Sequence, residues 1–178
     1  MTFPTVLTII RMLFSLVFFV FVMVPEVWAK IVALVLFVIA TITDRIDGKI
    51  ARKYHLVTDL GAFLDPLADK MLVNLAFLAL VYLNIVPVWI FAIILVRDFA
   101  VDGMRMMAAR DGVTISASIY GKVKTTIQMI ALIIILLNLI TNIELFSILG
   151  DIALYLAVIL TVFSGFDYLI KGWKQLIK

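Results

Sequence analysis

Long apolar runs separated by short polar segments fill most of this chain. They predict six membrane-spanning helices, because about 20 residues of helix cross a bilayer and polar turns lengthen the shorter runs. We place the spans at residues 10–24, 28–46, 64–83, 87–107, 117–140 and 148–169. Residues 2–10 are expected to form a short interfacial segment, with Pro4 near the first helical turn. The predicted fold class is an all-α integral membrane protein.

Composition supports that class. The 178 residues are 65% hydrophobic and 15% charged, and the mean hydropathy is +1.22, which excludes an ordinary soluble domain. We predict a single membrane domain over residues 1–178. The chain has no cysteine, so disulfides and thiolate metal sites are excluded.

The basic residues fall mainly on one side of the six-span arrangement. Arg11, the stretches 45–70 and 97–124, and the lysines of the C-terminal segment lie on that side, and only Lys30 lies on the other. Because cytoplasmic loops carry the excess of lysine and arginine, we expect both termini to be cytoplasmic. We interpret Arg11 as a snorkelling anchor at the cytoplasmic edge of the first span rather than as a substrate contact. The predicted location is the cytoplasmic membrane.

Four spaced aspartates lie at the polar ends of the second and third predicted spans. Asp44 and Asp47 are three residues apart, and Asp65 and Asp69 are four apart. On a helix each spacing puts two side chains on one face, so two helices could form a cage of four carboxylates. Oxygen ligands suit Mg²⁺ or Mn²⁺, with Ca²⁺ as an alternative, and two divalent ions would balance four charges. The ordinary alternatives are a helix cap, with Asp65 before Pro66, and a solvated helix end for the first pair.

Small residues and an arginine complete this pattern. Gly48, Ala51 and Gly61 leave space for a flat base or a diphosphate, and Arg52 offers a planar fork of donors suited to phosphate. Residues 44–69 read D-x2-D-G-x2-A-R-x8-G-x3-D-x3-D. At all eight fixed positions the chain resembles the signature of the CDP-alcohol phosphotransferase family.

A second polar concentration, at residues 96–126, is basic. It contains five cations near the predicted cytoplasmic ends of the fourth and fifth helices: Arg97, Arg105, Arg110, Lys122 and Lys124. We expect them to bind an acceptor that carries its own phosphate, in a basic pocket beside the acidic cage. The alternative is a basic helix flank that attracts anionic lipid. Segments in this region and at the N-terminus are similar to the bacterial branch of the family that makes phosphatidylglycerol phosphate.

The resemblance implies a six-helix membrane enzyme, usually a homodimer, with a two-metal site that opens to the cytoplasm. It implies that Asp44, Asp47 and Asp65 hold the two divalent cations, and that Asp69 is both a metal ligand and the general base. The positions that match the family's nucleotide pocket, and would bind CDP-diacylglycerol, are Gly48, Ala51, Arg52 and Gly61.

The implied reaction transfers the phosphatidyl group of CDP-diacylglycerol to glycerol 3-phosphate and gives phosphatidylglycerol phosphate and CMP. The expected partners are these two substrates and the lipid bilayer, with no nucleic acid. One alternative keeps the chemistry but uses inositol phosphate, serine or phosphatidylglycerol as acceptor. The other is a divalent-cation transporter, which is disfavoured because the acids cluster at one membrane side and no internal repeat is visible.

Overall fold

Six α-helices account for the regular secondary structure of the part of the chain described by this computed structural model. The backbone is described at residues 3–53, 59–110 and 119–176, and the side chains at residues 6, 8–43, 67–68, 70–108 and 119–168. The helices are α1 (Phe3–Met23), α2 (Val27–Lys53), α3 (Asp59–Tyr82), α4 (Val88–Arg110), α5 (Ile119–Thr141) and α6 (Glu144–Leu176). The all-α prediction is confirmed.

Several helices extend beyond the apolar runs that predict them. α1 is continuous from Phe3, so the predicted interfacial segment belongs to the same helix as the first span. α2 continues to Lys53 and α6 to Leu176. An apolar run marks the part of a helix suited to lipid, whereas polar turns continue the helix beyond it.

α3 contains Pro66 in its interior. The helix begins at Asp59 and continues through Asp65 and Pro66. The alternative in which Asp65 only caps a helix that starts at Pro66 is therefore wrong. Asp59, which lies outside the spacing of the four acids, stands at the helix start, where a carboxylate is favoured by the helix dipole.

Two asparagines end helices in the left-handed conformation. Asn84 has φ 57° and Asn142 has φ 51°, a region that asparagine enters more readily than most residues. Beside Asn84, the N–H of Ile85 donates to the Leu80 carbonyl at 2.9 Å. The N–H of Asn142 donates to the Asn138 carbonyl at 2.8 Å. These bonds satisfy carbonyls that the helix end would otherwise expose.

The chain forms two compact units. The first unit contains Met1–Ile85 and Leu136–Asn142, and the second contains Val86–Ile135 and Ile143–Lys178. In the first unit α1 packs against both α2 and α3, and α2 contacts α3. In the second unit α4 packs against α6. The assignment of residues 1–178 to a single domain stays a prediction.

The interior combines small residues with a few large ones such as Phe18 and Phe37, and many other large apolar residues lie at the surface. Six alanines of the first unit are at most 1% exposed: Ala29, Ala33, Ala40, Ala68, Ala76 and Ala79. Large apolar side chains are exposed on every helix, and Leu13, Val20, Val96 and Phe163 are 55–68% exposed. Small interior residues let membrane helices approach closely, and extensive apolar surface marks contact with lipid.

Two helices in the described part of the chain are long and apolar enough to cross a membrane. They are Ile119–Thr141 and Glu144–Tyr168. Shorter apolar helical stretches occur at Thr8–Met23, Val27–Thr43 and Lys70–Tyr82. The chain therefore has the character of a membrane protein, and six spans with cytoplasmic termini stay a prediction.

Candidate active site

The buried face of α2 leads to the first pair of aspartates. Its described part consists of Ala29, Ala33, Phe37 and Ala40, each at most 1% exposed. Asp44 is seven residues after Phe37, and Asp47 is seven after Ala40, so both positions continue this face in a helix that extends to Lys53. The side chains of Asp44 and Asp47 lie outside the described residues.

The second pair occupies the corresponding face of α3. Leu72 is 3% exposed and Ala76 is 0% exposed. Asp65 and Asp69 lie seven residues before them within the same helix, and their side chains also lie outside the described residues. Because α2 and α3 contact each other, the four aspartates belong to two touching helices of one unit.

α1, which belongs to the same unit, carries buried polar residues on one face. Thr8, Arg11 and Ser15 are 2%, 5% and 0% exposed, and they share one helix face with the buried Phe18. The Ser15 hydroxyl donates to the Arg11 carbonyl at 2.8 Å. The interpretation of Arg11 as a snorkelling anchor is therefore wrong, because a snorkelling side chain keeps its charged end in water, whereas Arg11 is buried.

The predicted nucleotide-binding residues also belong to these helices. Gly48, Ala51 and Arg52 lie in α2, and Gly61 lies in α3. Their side-chain environments lie outside the described residues, so the CDP-diacylglycerol pocket stays a prediction.

In the second unit, six residues form what we call the basic cluster: Arg97, Asp98, Arg105, Lys124, Ser164 and Tyr168. Asp98 joins two of the cations. Its Oδ1 accepts from Arg97 Nη1 at 3.0 Å and from Lys124 Nζ at 2.9 Å, and its Oδ2 accepts from Lys124 Nζ at 3.1 Å. The side chain of Lys124 is 3% exposed and that of Asp98 is 15% exposed. The carboxylate thus compensates a buried ammonium group.

α6 supplies the other side of the basic cluster. Arg97 Nη2 donates to Ser164 Oγ at 2.8 Å, and Arg105 Nη2 donates to Tyr168 Oη at 2.5 Å. The Tyr168 ring lies 5.6 Å from Arg97 Cζ and 5.2 Å from Arg105 Cζ, distances at which a ring face attracts a guanidinium. α4 and α6 therefore hold the two guanidinium groups together.

Gly165 allows Arg97 to lie close to α6. A Cβ at position 165 would be 3.1 Å from Arg97 Cγ, which is tighter than ordinary van der Waals contact. The buried Arg97 Nε has no hydrogen-bond partner in the described part of the chain. It is a further donor that an anion could use.

Three of the five predicted phosphate-binding cations meet in the basic cluster: Arg97, Arg105 and Lys124. Lys122 is exposed on α5, two residues from Lys124 and hence on a different helix face. Arg110 is the last residue of α4, and its side chain lies outside the described residues. Sequence reasoning did not identify Asp98, Ser164 or Tyr168 as parts of this site, although Ser164 and Tyr168 lie four residues apart on one face of the apolar α6.

Comparisons with known proteins agree with the signature. Residues 1–163 match the family model described as CDP-alcohol phosphatidyltransferase. A Bacillus subtilis protein named CDP-diacylglycerol–glycerol-3-phosphate 3-phosphatidyltransferase is 39% identical over 97% of this chain and 96% of its own length. A Yersinia enterocolitica protein of the same name is 39% identical over 98% of this chain and 97% of its own length. A Mycobacterium tuberculosis protein named probable phosphatidylglycerophosphate synthase is 37% identical over 83% of this chain and 69% of its own length.

Proposed function

Because this chain belongs to the CDP-alcohol phosphatidyltransferase family, we propose that it transfers the phosphatidyl group of CDP-diacylglycerol to glycerol 3-phosphate. The products are phosphatidylglycerol phosphate and CMP. The observation that carries this proposal is the eight-position signature of residues 44–69, on two touching helices, in a chain that aligns over nearly its full length with relatives of that name.

The four aspartates form a donor set suited to hard divalent cations. Members of the family generally depend on such cations. We assign two Mg²⁺ or Mn²⁺ ions to Asp44, Asp47, Asp65 and Asp69. When bound, these cations would withdraw charge from the diphosphate and stabilise CMP as the leaving group.

Asp69 is the proposed general base. Its carboxylate takes the proton of the 1-hydroxyl of glycerol 3-phosphate as that oxygen attacks the β-phosphorus of CDP-diacylglycerol. The new P–O bond forms in line with the bond to CMP, which breaks with its electron pair. Base catalysis of this kind contributes about 10² to 10⁴ in rate.

The nucleotide part of CDP-diacylglycerol is assigned to Gly48, Ala51, Arg52 and Gly61. The three small residues would admit the base and the diphosphate to the helix backbone. Arg52 would donate two parallel hydrogen bonds to phosphate oxygens. Orientation of the diphosphate is the contribution expected of these four positions.

The basic cluster is the proposed binding site for the phosphate of the acceptor. Its three cations and one carboxylate carry a net charge of +2, which complements a phosphate monoester with about −1.5 to −2 charge near pH 7. The phosphate would replace Asp98 as the acceptor of hydrogen bonds from Arg97 and Lys124. Tyr168 would keep Arg105 in place. An acceptor without a phosphate would leave these donors to Asp98. Arg110 and Lys122 are assigned to the surrounding positive field, which attracts the anion.

The two substrates suggest where the enzyme works. CDP-diacylglycerol keeps its tails in lipid, whereas glycerol 3-phosphate is dissolved in the cytosol. We assign the protein to the cytoplasmic membrane with six spans, both termini and the active site on the cytoplasmic side, and a homodimeric assembly. The one-sided distribution of lysine and arginine supports this orientation.

The deciding experiment measures CMP release by the detergent-purified protein given CDP-diacylglycerol and Mg²⁺, with and without glycerol 3-phosphate. We expect release only when the metal and glycerol 3-phosphate are both present, and we expect EDTA to abolish it. Release with inositol phosphate, serine or phosphatidylglycerol alone would keep the family chemistry and reject the acceptor. No release with any acceptor would reject the enzymatic assignment.

A further inference from the structure

Arg11 is a buried cation that the proposed mechanism leaves without a role. It is 5% exposed and lies between the buried Thr8 and Ser15 on one face of α1. The helices packed against this face are α2 and α3, which carry the aspartate signature.

The register of α1 against α2 places Arg11 near one end of that signature. Only residues 24–26 separate the two helices, so they run antiparallel, and the rings of Phe18 and Phe37 meet at 5.5 Å. Seven residues toward the start of α1 lead from Phe18 to Arg11, and seven residues toward the end of α2 lead from Phe37 to Asp44. Both steps span two turns, about 10 Å, and keep the same helix face.

α3 brings the second aspartate pair to the same level. Five residues separate the end of α2 at Lys53 from the start of α3 at Asp59, so the beginning of α3 adjoins the end of α2. Asp65 and Asp69 lie in that first part of α3, and α1 contacts α3 as well as α2. The polar half of α1 therefore lies level with both aspartate pairs.

We propose that Arg11 is a further substrate-binding residue, whose guanidinium donates hydrogen bonds to the diphosphate of CDP-diacylglycerol. This inference rests on the proposed function. Four carboxylates and two divalent cations cancel, so the roughly two negative charges of a bound diphosphate need two more cations. Arg52 of the signature supplies one, and Arg11 supplies the other.

The test is equilibrium binding of CDP to the full-length protein in detergent, at saturating Mg²⁺ and without acceptor, so that no turnover occurs. We compare Arg11→Met, which removes the charge, with Arg11→Lys, which keeps a charge but loses the planar fork. Ser15→Ala is the matched control, one turn away on the same buried face. A lost hydrogen bond to a charged group predicts about 10- to 100-fold weaker CDP binding by Arg11→Met. Arg11→Lys should lose about 3- to 10-fold, and Ser15→Ala should match the wild type.

Kinetics give a second readout. The KM for CDP-diacylglycerol should rise in parallel with the dissociation constant of CDP, whereas the KM for glycerol 3-phosphate should stay unchanged. If Arg11→Met does not fold, Arg11→Lys decides the question. Wild-type CDP affinity in the deciding variant would overturn the proposal, and so would an equal loss in Ser15→Ala.

If Mg²⁺ binding changed while CDP affinity at saturating Mg²⁺ stayed normal, Arg11 would act on the carboxylates that bind the metal. That result would overturn the diphosphate contact. Failure of the proposed function has a different signature. A folded wild-type protein that binds no CDP in Mg²⁺ would reject that function before any variant is compared.

Discussion

The first unit and the basic cluster balance charge in different ways. In the basic cluster the buried ammonium of Lys124 contacts the carboxylate of Asp98 at 2.9 Å, so both charges belong to the protein. In the first unit the four aspartates of α2 and α3 carry charges of one sign on two touching helices. Their proposed balancing charges come from outside the protein, from the bound divalent cations. A change of charge should therefore reduce turnover in the first unit, whereas loss of the Asp98–Lys124 pair should reduce stability in the second.

Asp69→Asn should show the largest effect. The amide keeps the shape of the side chain but cannot accept the acceptor's proton, so kcat should fall by about 10² to 10⁴. CMP release measures kcat, and CDP binding and thermal denaturation should stay near wild type. Asp59→Asn, which changes an acid outside the spacing, is the control. Normal turnover would sink the base assignment, and a large loss of thermal stability would erase the contrast between the two regions.

Asp98→Asn should instead reduce the stability of the protein. Loss of the carboxylate leaves Lys124 buried without its opposite charge, which costs about 3 kcal/mol or more. Chemical denaturation in detergent measures the free energy of unfolding. The double variant Asp98→Asn with Lys124→Met should recover most of this loss, because no unpaired ammonium remains. Unchanged stability of the single variant would mean that the pair contributes nothing to the fold.

Arg105→Ala should have a smaller effect, confined to one substrate. Removal of a charged donor predicts a rise of about 10-fold in the KM for glycerol 3-phosphate, with little change for CDP-diacylglycerol. Tyr168→Phe keeps the ring and removes only the hydroxyl that Arg105 contacts. The KM of this variant for glycerol 3-phosphate should therefore rise about 3-fold or less. An equal rise for both substrates would instead make Arg105 a general lipid anchor.

Two glycine substitutions should separate packing from helix propensity, with the smallest effect. At Gly165 a new Cβ would press on the stem of Arg97 at 3.1 Å, so Gly165→Ala should destabilise by about 1 kcal/mol. Gly103 has nothing within 4 Å of the corresponding position, and Gly103→Ala should stabilise by about 0.5–1 kcal/mol. Thermal denaturation of the two variants measures the difference. Equal shifts would show that Arg97 adjusts freely.

The helices and the aspartate signature could be predicted because their information is local. Apolar runs indicate helices that lipid can surround, and each aspartate pair lies within one helix. The polar end of α2, up to Lys53, could not be predicted from hydropathy, since these residues leave the apolar segment but keep helical backbone bonds. The family that the signature indicates is confirmed by the match over residues 1–163.

The basic cluster depends on contacts that a single sequence does not reveal. Arg97 and Ser164 are 67 residues apart, and Arg105 and Tyr168 are 63 apart. These pairs meet only because α4 packs against α6, and Lys124 joins them from α5. The burial of Arg11 was missed for a related reason. Its position near the end of an apolar run favoured a snorkelling anchor, whereas the packing of α1 against two helices buries it.

The small residues buried in the interior also limit how the sequence of this protein can diverge. On the lipid-facing surface, exchanges among leucine, isoleucine, valine and phenylalanine change little, because lipid tails adapt to any of these shapes. In the interior, a larger side chain at the buried Ala33, Ala76 or Gly150 would force its neighbours to shift; a Cβ at Gly150 would already meet the Ile135 side chain at 3.0 Å. Evolutionary drift should therefore be fast on the lipid-facing surface and slow at these small buried positions, so a short list of buried alanines and glycines identifies distant members of this fold better than its many exposed leucines.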